Sequence, residues 1–227
     1  MRVMNIEKAL NNAAPCEAIA AFPLPRVYAI LDAARLTAAS LPEAAGTLLA
    51  AGVRLMQYRN KRGASREMYE AGRLIAGLVQ PAKGIFIMND RADVAWASGA
   101  DGVHLGQEDL PAVKARRALP AGKIVGISTH TVEQVLEADR APADYIAFRP
   151  IFATRSKERP GPVAGLAGLR AAREATCKPL VAIGGITLEN ARQVMDSGAD
   201  SIAVIDALFG AANLAEQASR FLQRVGP

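Results

Sequence analysis

The chain has 227 residues, 51% apolar, 22% charged and 5% aromatic, with a net charge of +5. That is ample for one buried core, and no run approaches the ~20 apolar residues that would span a bilayer. The cations fall in short groups (Arg59, Lys61, Arg62, Arg66; Lys114, Arg116, Arg117; Arg155, Lys157, Arg159), and one Trp offers little for stacking bases, so small anions fit the charge better than nucleic acid.

Residues 1–25 contain Glu7, Lys8, Asn11 and Asn12, which interrupt any signal-peptide core, and end in Phe22-Pro23-Leu24-Pro25. They read as an N-terminal arm or helix ahead of a domain spanning 26–227. Cys16 and Cys177 suggest neither a disulfide framework nor a metal cluster, and are expected as free thiols of a cytoplasmic protein.

The first strand is expected at Val27–Leu31, then a helix from Leu41 with Pro42 in its first turn. The second, Arg54–Tyr58, runs into Gln57-Tyr58-Arg59-Asn60-Lys61. Alternation along an extended strand turns Gln57, Arg59 and Lys61 to one side. One amide and two cations suit a diphosphate on a polar heterocycle, although a solvated rim would carry the same residues. A helix from Ser65 follows.

The third strand, Ile85–Met88, leads to Asn89-Asp90 and a helix near Arg91. The fourth, Gly102–Leu105, holds His104 and leads through Gly106-Gln107-Glu108-Asp109 to a helix near Leu110. Adjacent strand ends bring Asp90 and Asp109 within reach of one ion, and two carboxylates completed by water and phosphate oxygens suit Mg2+. Each aspartate alone reads equally well as a helix cap; together, opposite the cationic end of the second strand, they favour a metal. His104 reads as a histidine bonded locally at a barrel mouth, not as an acid–base group.

The fifth strand, Ile124–Ser128, ends in Ser128-Thr129-His130 before a helix near Thr131. No carboxylate is paired with Ser128, which argues against a hydrolase triad. The sixth, Tyr145–Phe148, opens a long loop with Thr154-Arg155-Ser156-Lys157, Pro160, Gly161 and Pro162, suited to close over phosphates, before a helix from Gly165. The seventh, Leu180–Ile183, gives Gly184-Gly185-Ile186 and a helix from Leu188; the eighth, Ser201–Ile205, gives Asp206 and a helix from Asn213. Glycines at such strand ends let backbone N–H groups approach a phosphate.

The turns into strands repeat: Ser98-Gly99-Ala100-Asp101 and Ser197-Gly198-Ala199-Asp200 are near copies, and Pro142-Ala143-Asp144 is a looser one. Eight strand–helix units in about 200 residues predict a single (β/α)8 TIM barrel with a short N-terminal extension. An open doubly wound sheet is the alternative, but no G-x-G-x-x-G follows the first strand. A barrel places functional residues just past the C-terminal ends of its strands.

In order, Tyr28-Ala29-Ile30-Leu31-Asp32, Gln57-x-Arg59-x-Lys61, Asn89-Asp90, His104-Leu105-Gly106-Gln107-Glu108-Asp109, Gly126-Ile127-Ser128-x-His130, Pro150-Ile151-Phe152-x-Thr154-x-Ser156-Lys157 and Ile183-Gly184-Gly185-Ile186 resemble the thiamine phosphate synthase (thiamine-phosphate pyrophosphorylase) family, from about Arg26 to the end. The resemblance implies a transferase that joins a hydroxymethylpyrimidine diphosphate to a hydroxyethylthiazole phosphate. Thiamine phosphate and diphosphate would form by a dissociative, Mg2+-assisted substitution. It implies that Gln57, Arg59, Lys61 and Asn89 hold the pyrimidine diphosphate, with Tyr58, Asn60, His104 and Gln107 contributing from the same motifs. Asp90 and Asp109 would hold Mg2+. Ser128 would lie by the pyrimidine and Lys157 by the diphosphate, so that Arg59, Lys61, Ser128 and Lys157 act in catalysis. Thr154, Arg155, Ser156, Gly185, Ile205 and Asp206 would surround the thiazole phosphate, largely through backbone N–H. The family's habit implies a homodimer. The residues agree: a carbocation route needs leaving-group stabilisation and positioning rather than a strong base.

Three positions depart from that pattern. Arg149 stands where glycine is usual, Ala153 where proline is common, and Asp206 where a small hydroxyl residue is common. A carboxylate beside a phosphate must turn away or pair, and Arg149 is expected either to pair with Asp206 or to add a cation on the thiazole side. Two rivals are a thiazole tautomerase of the same superfamily, which needs no diphosphate site, and a non-catalytic barrel binding thiazole or thiamine phosphates. The cations of the second strand and the two aspartates favour the synthase. A generic sugar-phosphate barrel gives no reason for Gln57 beside two cations.

Overall fold

The computed structural model describes residues 23–154 and 162–226. Within them eight parallel strands close into a barrel in chain order: β1 (Val27–Asp32), β2 (Leu55–Arg59), β3 (Ile85–Asn89), β4 (Gly102–Leu105), β5 (Ile124–Thr129), β6 (Tyr145–Phe148), β7 (Leu180–Ile183) and β8 (Ser201–Val204). The ring closes where Val27 pairs with Ile202. Each strand end falls within one residue of the expectation. Short apolar runs without alternation are what parallel strands buried on both faces require.

The described helices are α1 (Leu41–Ala50), α2 (Ser65–Val79), α3 (Ala92–Ser98), α4 (Ala112–Ala118), α5 (Val132–Arg140), α6 (Gly165–Glu174), α7 (Ala191–Asp196), α8 (Asp206–Phe209) and α9 (Leu214–Val225). Thr131 and Asn213 cap α5 and α9, accepting from Gln134 and Glu216 backbone N–H at 3.3 and 3.1 Å. α3 begins at Ala92 with Arg91 at its N-cap, as expected. Two starts lie further along than expected: Pro111 is not helical, so α4 begins at Ala112. The helix expected from Leu188 begins at Ala191, because Asn190 accepts from Thr187 N–H at 2.8 Å and donates to Gly185 O at 3.0 Å, holding a turn instead. The four-residue α8, too short for a periodic signal, was not expected.

Alternation divides the strand side chains into two cores. Outward residues such as Leu31, Met56, Phe86, Ile146 and Ile202 pack against the helices, while Tyr28, Ile30, Leu55, Ile87, Tyr145, Val181 and Ala203 fill the barrel. The repeated Ala-Asp turns stitch neighbouring strands together below them. Asp101, Asp144 and Asp200 donate backbone N–H to the carbonyls of Phe86, Val125 and Leu180. In return their carboxylates accept the N–H of those same residues at 2.8, 2.7 and 2.8 Å. Arg116 and Arg173 pair with Asp144 and Asp200, so these cations are structural.

Most of the expected arm, residues 1–22, lies outside the described residues. Cys177 is disulfide-bonded rather than the free thiol expected, and Cys16 lies outside the described residues. Among the described residues no helix is long and apolar enough to cross a membrane.

Candidate active site

The C-terminal ends of the strands surround a cavity of about 500 Å³. Ile30 lies low in it, and Gln57, Arg59, Asn89, His104, Ser128 and Arg149 line its walls from β2 to the end of β6. Lys61 and Asp90 stand at the rim, and Thr154, Gly184, Gly185, Ile205 and Asp206 close the opposite side.

The expected alternation holds on β2: Gln57, Arg59 and Lys61 all line the cavity, whereas Tyr58 packs outward and Asn60 does not line it. Instead Asn60 Oδ1 accepts from Gly63 N–H at 2.7 Å and shapes the loop. Asp32 is the direct neighbour of Arg59 in the sheet register, and its carboxylate takes the guanidinium at 2.5 Å. Lys61 donates to Asp90.

Asp90 has φ of +63°. A non-glycine residue in that region is uncommon, and a candidate metal ligand is where such a backbone is worth holding. Its carboxyl is pushed up to about 6, first by burial and then by a hydrogen bond with Asp109, so the two carboxyls face one another as their strand ends predicted. Neither caps a helix: α3 and α4 have no side-chain cap. Asp109 accepts from Gly106 N–H at 2.6 Å within its own loop. The cap reading is therefore removed for both. No cluster of three or more His, Cys, Asp and Glu stands among the described residues.

Deeper in the barrel a chain of polar contacts crosses from β2 to β6. Gln57 Nε2 donates to Tyr28 OH at 2.7 Å, Tyr28 OH meets Tyr145 OH at 3.0 Å, and Tyr145 OH meets His104 Nδ1 at 2.9 Å. His104 Nε2 then meets Ser128 Oγ at 2.8 Å, which accepts Arg149 Nε–H at 3.1 Å. Every member except Arg149 is buried to 4% exposure or less. Such a chain satisfies groups that would otherwise be orphaned in a low-dielectric interior. Asn89 Nδ2, by contrast, is buried with no hydrogen-bond partner. Gln107 donates to Ser128 O at 2.6 Å and does not line the cavity.

His104 stays neutral: burial, and then the Arg149 charge, push its pKa down to about 3. The imidazole stacks on Tyr145, ring centroids 5.5 Å apart, which supports the local role over acid–base work. An unfolded chain protonates this histidine below about pH 6.5, while the folded chain resists until about pH 3. Stability is therefore unaffected by His104 above the unfolded pKa and falls as pH drops below it, approaching about 1.4 kcal/mol per pH unit. Urea midpoints from pH 7.5 to 4.5 should show this loss in the wild type and not in His104→Gln. Equal pH slopes would mean that the imidazole is not held neutral.

On the opposite side Gly184 and Gly185 adopt φ of +106° and +63°. A Cβ on Gly185 would lie 2.5 Å from Ala153 O, so only glycine brings this backbone so close to the loop after β6. Ile205 and Asp206 begin α8 beside them. Asp206 pairs with Arg35, which overturns the pairing with Arg149 expected from sequence. Arg149 instead donates Nε–H to Ser128 Oγ and lines the cavity along with Arg59, Lys61 and Asp90; burial first, and then the Arg59 charge, lower its pKa. Arg155, Ser156 and Lys157 lie outside the described residues.

Sequence reasoning missed Tyr28, Tyr145, Asp32 and Arg35. The tyrosines sit in apolar strand runs where nothing local marks them as inward and polar-bonded. Asp32 stood in the opening strand, but its partner Arg59 is set by register alone.

A family profile described as thiamine monophosphate synthase matches residues 27–208. The chain is 50% identical over 204 residues to a thiamine-phosphate synthase of Koribacter versatilis, covering 88% of this chain and 95% of that one. It is 43% identical over 199 residues to one of Methanoregula boonei, covering 88% and 92%. Among solved structures, a thiamine phosphate pyrophosphorylase from Pyrococcus furiosus matches with a TM-score of 0.80 at 37% identity, covering 88% of this chain and 95% of that one.

Proposed function

We infer the chemistry of this site from one premise: the chain belongs to the thiamine monophosphate synthase family. It is an enzyme, a transferase with thiamine-phosphate synthase activity, acting on small molecules. A hydroxymethylpyrimidine diphosphate and a hydroxyethylthiazole phosphate give thiamine phosphate and diphosphate. Relatives 43% and 50% identical over 88% of the chain favour neither the tautomerase nor the non-catalytic barrel.

We propose the following division of labour. The observation that carries it is that the Asp90 carboxyl meets both Asp109 and Lys61 at the rim of the cavity that Gln57 and Arg59 also line. Two oxygen donors fit Mg2+, and Asp90 already accepts one cation in Lys61. Asp90 and Asp109 would hold the ion, which when bound supplies positive charge against the diphosphate.

The remaining work falls to the chain's own groups. Arg59 and Lys61 bind diphosphate oxygens, with Asp32 holding the Arg59 fork in place. Gln57, with Nε2 committed to Tyr28, keeps its carbonyl oxygen for the amino group of the pyrimidine, and the orphaned Asn89 Nδ2 supplies a donor nearby. Ser128, held by His104, borders the same ring. The thiazole phosphate rests against Thr154, Gly185, Ile205 and Asp206, where the two left-handed glycines leave the backbone open to it. Lys157, Arg155 and Ser156 close over the phosphates; sequence alone assigns them this role. The C–O bond to diphosphate breaks first, its electron pair leaving with the oxygen, and the thiazole nitrogen then forms the new C–N bond. No residue need act as a strong base, and neutral His104 is in keeping with that.

The same reading treats residues 1–25 as an arm on a barrel of 26–227, in a cytoplasmic homodimer. Leu74, Leu78 and Trp96, exposed at 43%, 36% and 61% on adjacent helices α2 and α3, support a covered face.

The test is direct. Purified protein with both substrates and Mg2+ should yield thiamine phosphate, followed as fluorescent thiochrome, and EDTA should abolish it. Thiazole isomerisation without diphosphate release would instead establish the tautomerase, and ligand binding without either product would leave only a binding barrel.

A further inference from the structure

Three cations among the described residues line the cavity: Arg59, Lys61 and Arg149. Arg59 is paired with Asp32 and Lys61 with Asp90. Arg149 has no carboxylate partner among the described residues, and the one side-chain hydrogen bond of its guanidinium there is Nε–H to the neutral Ser128 Oγ. Burial depresses its pKa first, and the nearby Arg59 charge second. A largely buried guanidinium with one neutral contact and a cationic neighbour is an unfavourable arrangement for an empty site. It becomes favourable when an anion arrives.

The guanidinium is also held ready. Arg149 N–H donates to Thr129 O at 3.1 Å, and its carbonyl accepts from His130 Nδ1 at 3.0 Å, fixing the backbone on both sides. Nε is committed to Ser128, which leaves Nη1 and Nη2 as a fork with no hydrogen bond among the described residues, in the cavity that Arg59, Lys61 and Asp90 also line. Its planar pair of N–H donors matches phosphate oxygens, and it can accept nothing.

We propose that Arg149 is a further ligand of the leaving diphosphate, gripping its oxygens opposite Arg59. This rests on the transfer reaction proposed above. As the C–O bond breaks, the electron pair and the growing negative charge pass to the diphosphate oxygen, and the N–H donors of Arg149 strengthen their hold at that moment. Turned toward the pyrimidine carbon instead, the same charge would oppose the cation forming there.

The experiment measures inorganic diphosphate in the presence of Mg2+, by product inhibition and by calorimetry, for the wild type, Arg149→Met and Arg149→Lys. Arg149→Met should bind diphosphate about 10–100-fold more weakly, as expected for loss of charge-assisted bonds, with the KM for the thiazole phosphate within about twofold of wild type. Arg149→Lys should fall between them, since it keeps the charge and loses the fork. Unchanged diphosphate affinity in both variants overturns the proposal, as does a loss confined to the thiazole phosphate. If Arg149→Met does not fold, Arg149→Lys decides alone: affinity within about twofold of wild type overturns the assignment. Failure of the wild type to turn over its substrates would sink the underlying reaction, whereas wild-type turnover with unaltered variants sinks only the role of Arg149.

Discussion

Asp109→Ala should lower turnover about 10²–10³-fold at saturating substrates and Mg2+, the range expected when one group stabilising developing charge is removed. The apparent Mg2+ requirement should rise with it, and the folded state should hold. Asp109 lies in the loop between β4 and α4, where its described contacts are Gly106 N–H and the neighbouring Asp90. Because α4 has no side-chain cap, loss of the carboxylate strips no helix of a partner. The variant also relieves Asp90, whose raised pKa owes its second-largest contribution to Asp109. A loss of kcat together with a shifted Mg2+ midpoint, at an unchanged melting temperature, is the expected set. Turnover within twofold of wild type would remove Asp109 from the metal-holding pair and leave Asp90 beside Lys61 as an ordinary ion pair.

Gly126→Ala should be as damaging by a different route. Gly126 faces the barrel interior on β5, directly beside Tyr145 in the register, and a Cβ there would lie 2.1 Å from Tyr145 Cζ and 2.5 Å from its hydroxyl. Tyr145 is wholly buried, with Tyr28 edge-on at 6.2 Å and His104 stacked at 5.5 Å, so the ring has little room to move. Overpacking of this kind costs roughly 1–3 kcal/mol, and displacing the hydroxyl orphans its partners Tyr28 and His104 at about 1–3 kcal/mol for each buried group. A fall in unfolding free energy of several kcal/mol is therefore expected in urea titration. The effect should extend to binding, because Gln57 and Ser128 sit at the two ends of the same contacts. Tyr145→Phe, which removes the hydroxyl without adding volume, should be milder in stability. If Gly126→Ala unfolds at the wild-type midpoint, the ring has room that the geometry denies, and the chain of contacts does not brace the site.

These two predictions draw on different kinds of information. Asp90 and Asp109 could be named from the chain alone, because each stands in the short loop after a strand run and adjacent parallel strands put their ends side by side. Gln57, Arg59 and Lys61 were legible for the same reason: period-two alternation is a local property of the backbone. Strand positions were set by apolar runs, and the Ala-Asp turns by glycine and aspartate at repeated spacing.

What the sequence by itself determined is thus everything governed by neighbours along the chain: eight strand–helix units, hence a barrel, hence a rim of strand ends carrying cations and two aspartates. Tertiary structure alone decided which charges meet. Asp32 finds Arg59 27 residues away through register, Arg35 takes Asp206, and Arg149 is left with Ser128 and no carboxylate partner among the described residues. It also decided that Tyr28 and Tyr145, 117 residues apart, share a hydrogen bond inside the barrel. The physical reason is that pairing and burial depend on distances in space, which closure of the ring sets and no spacing along the chain encodes.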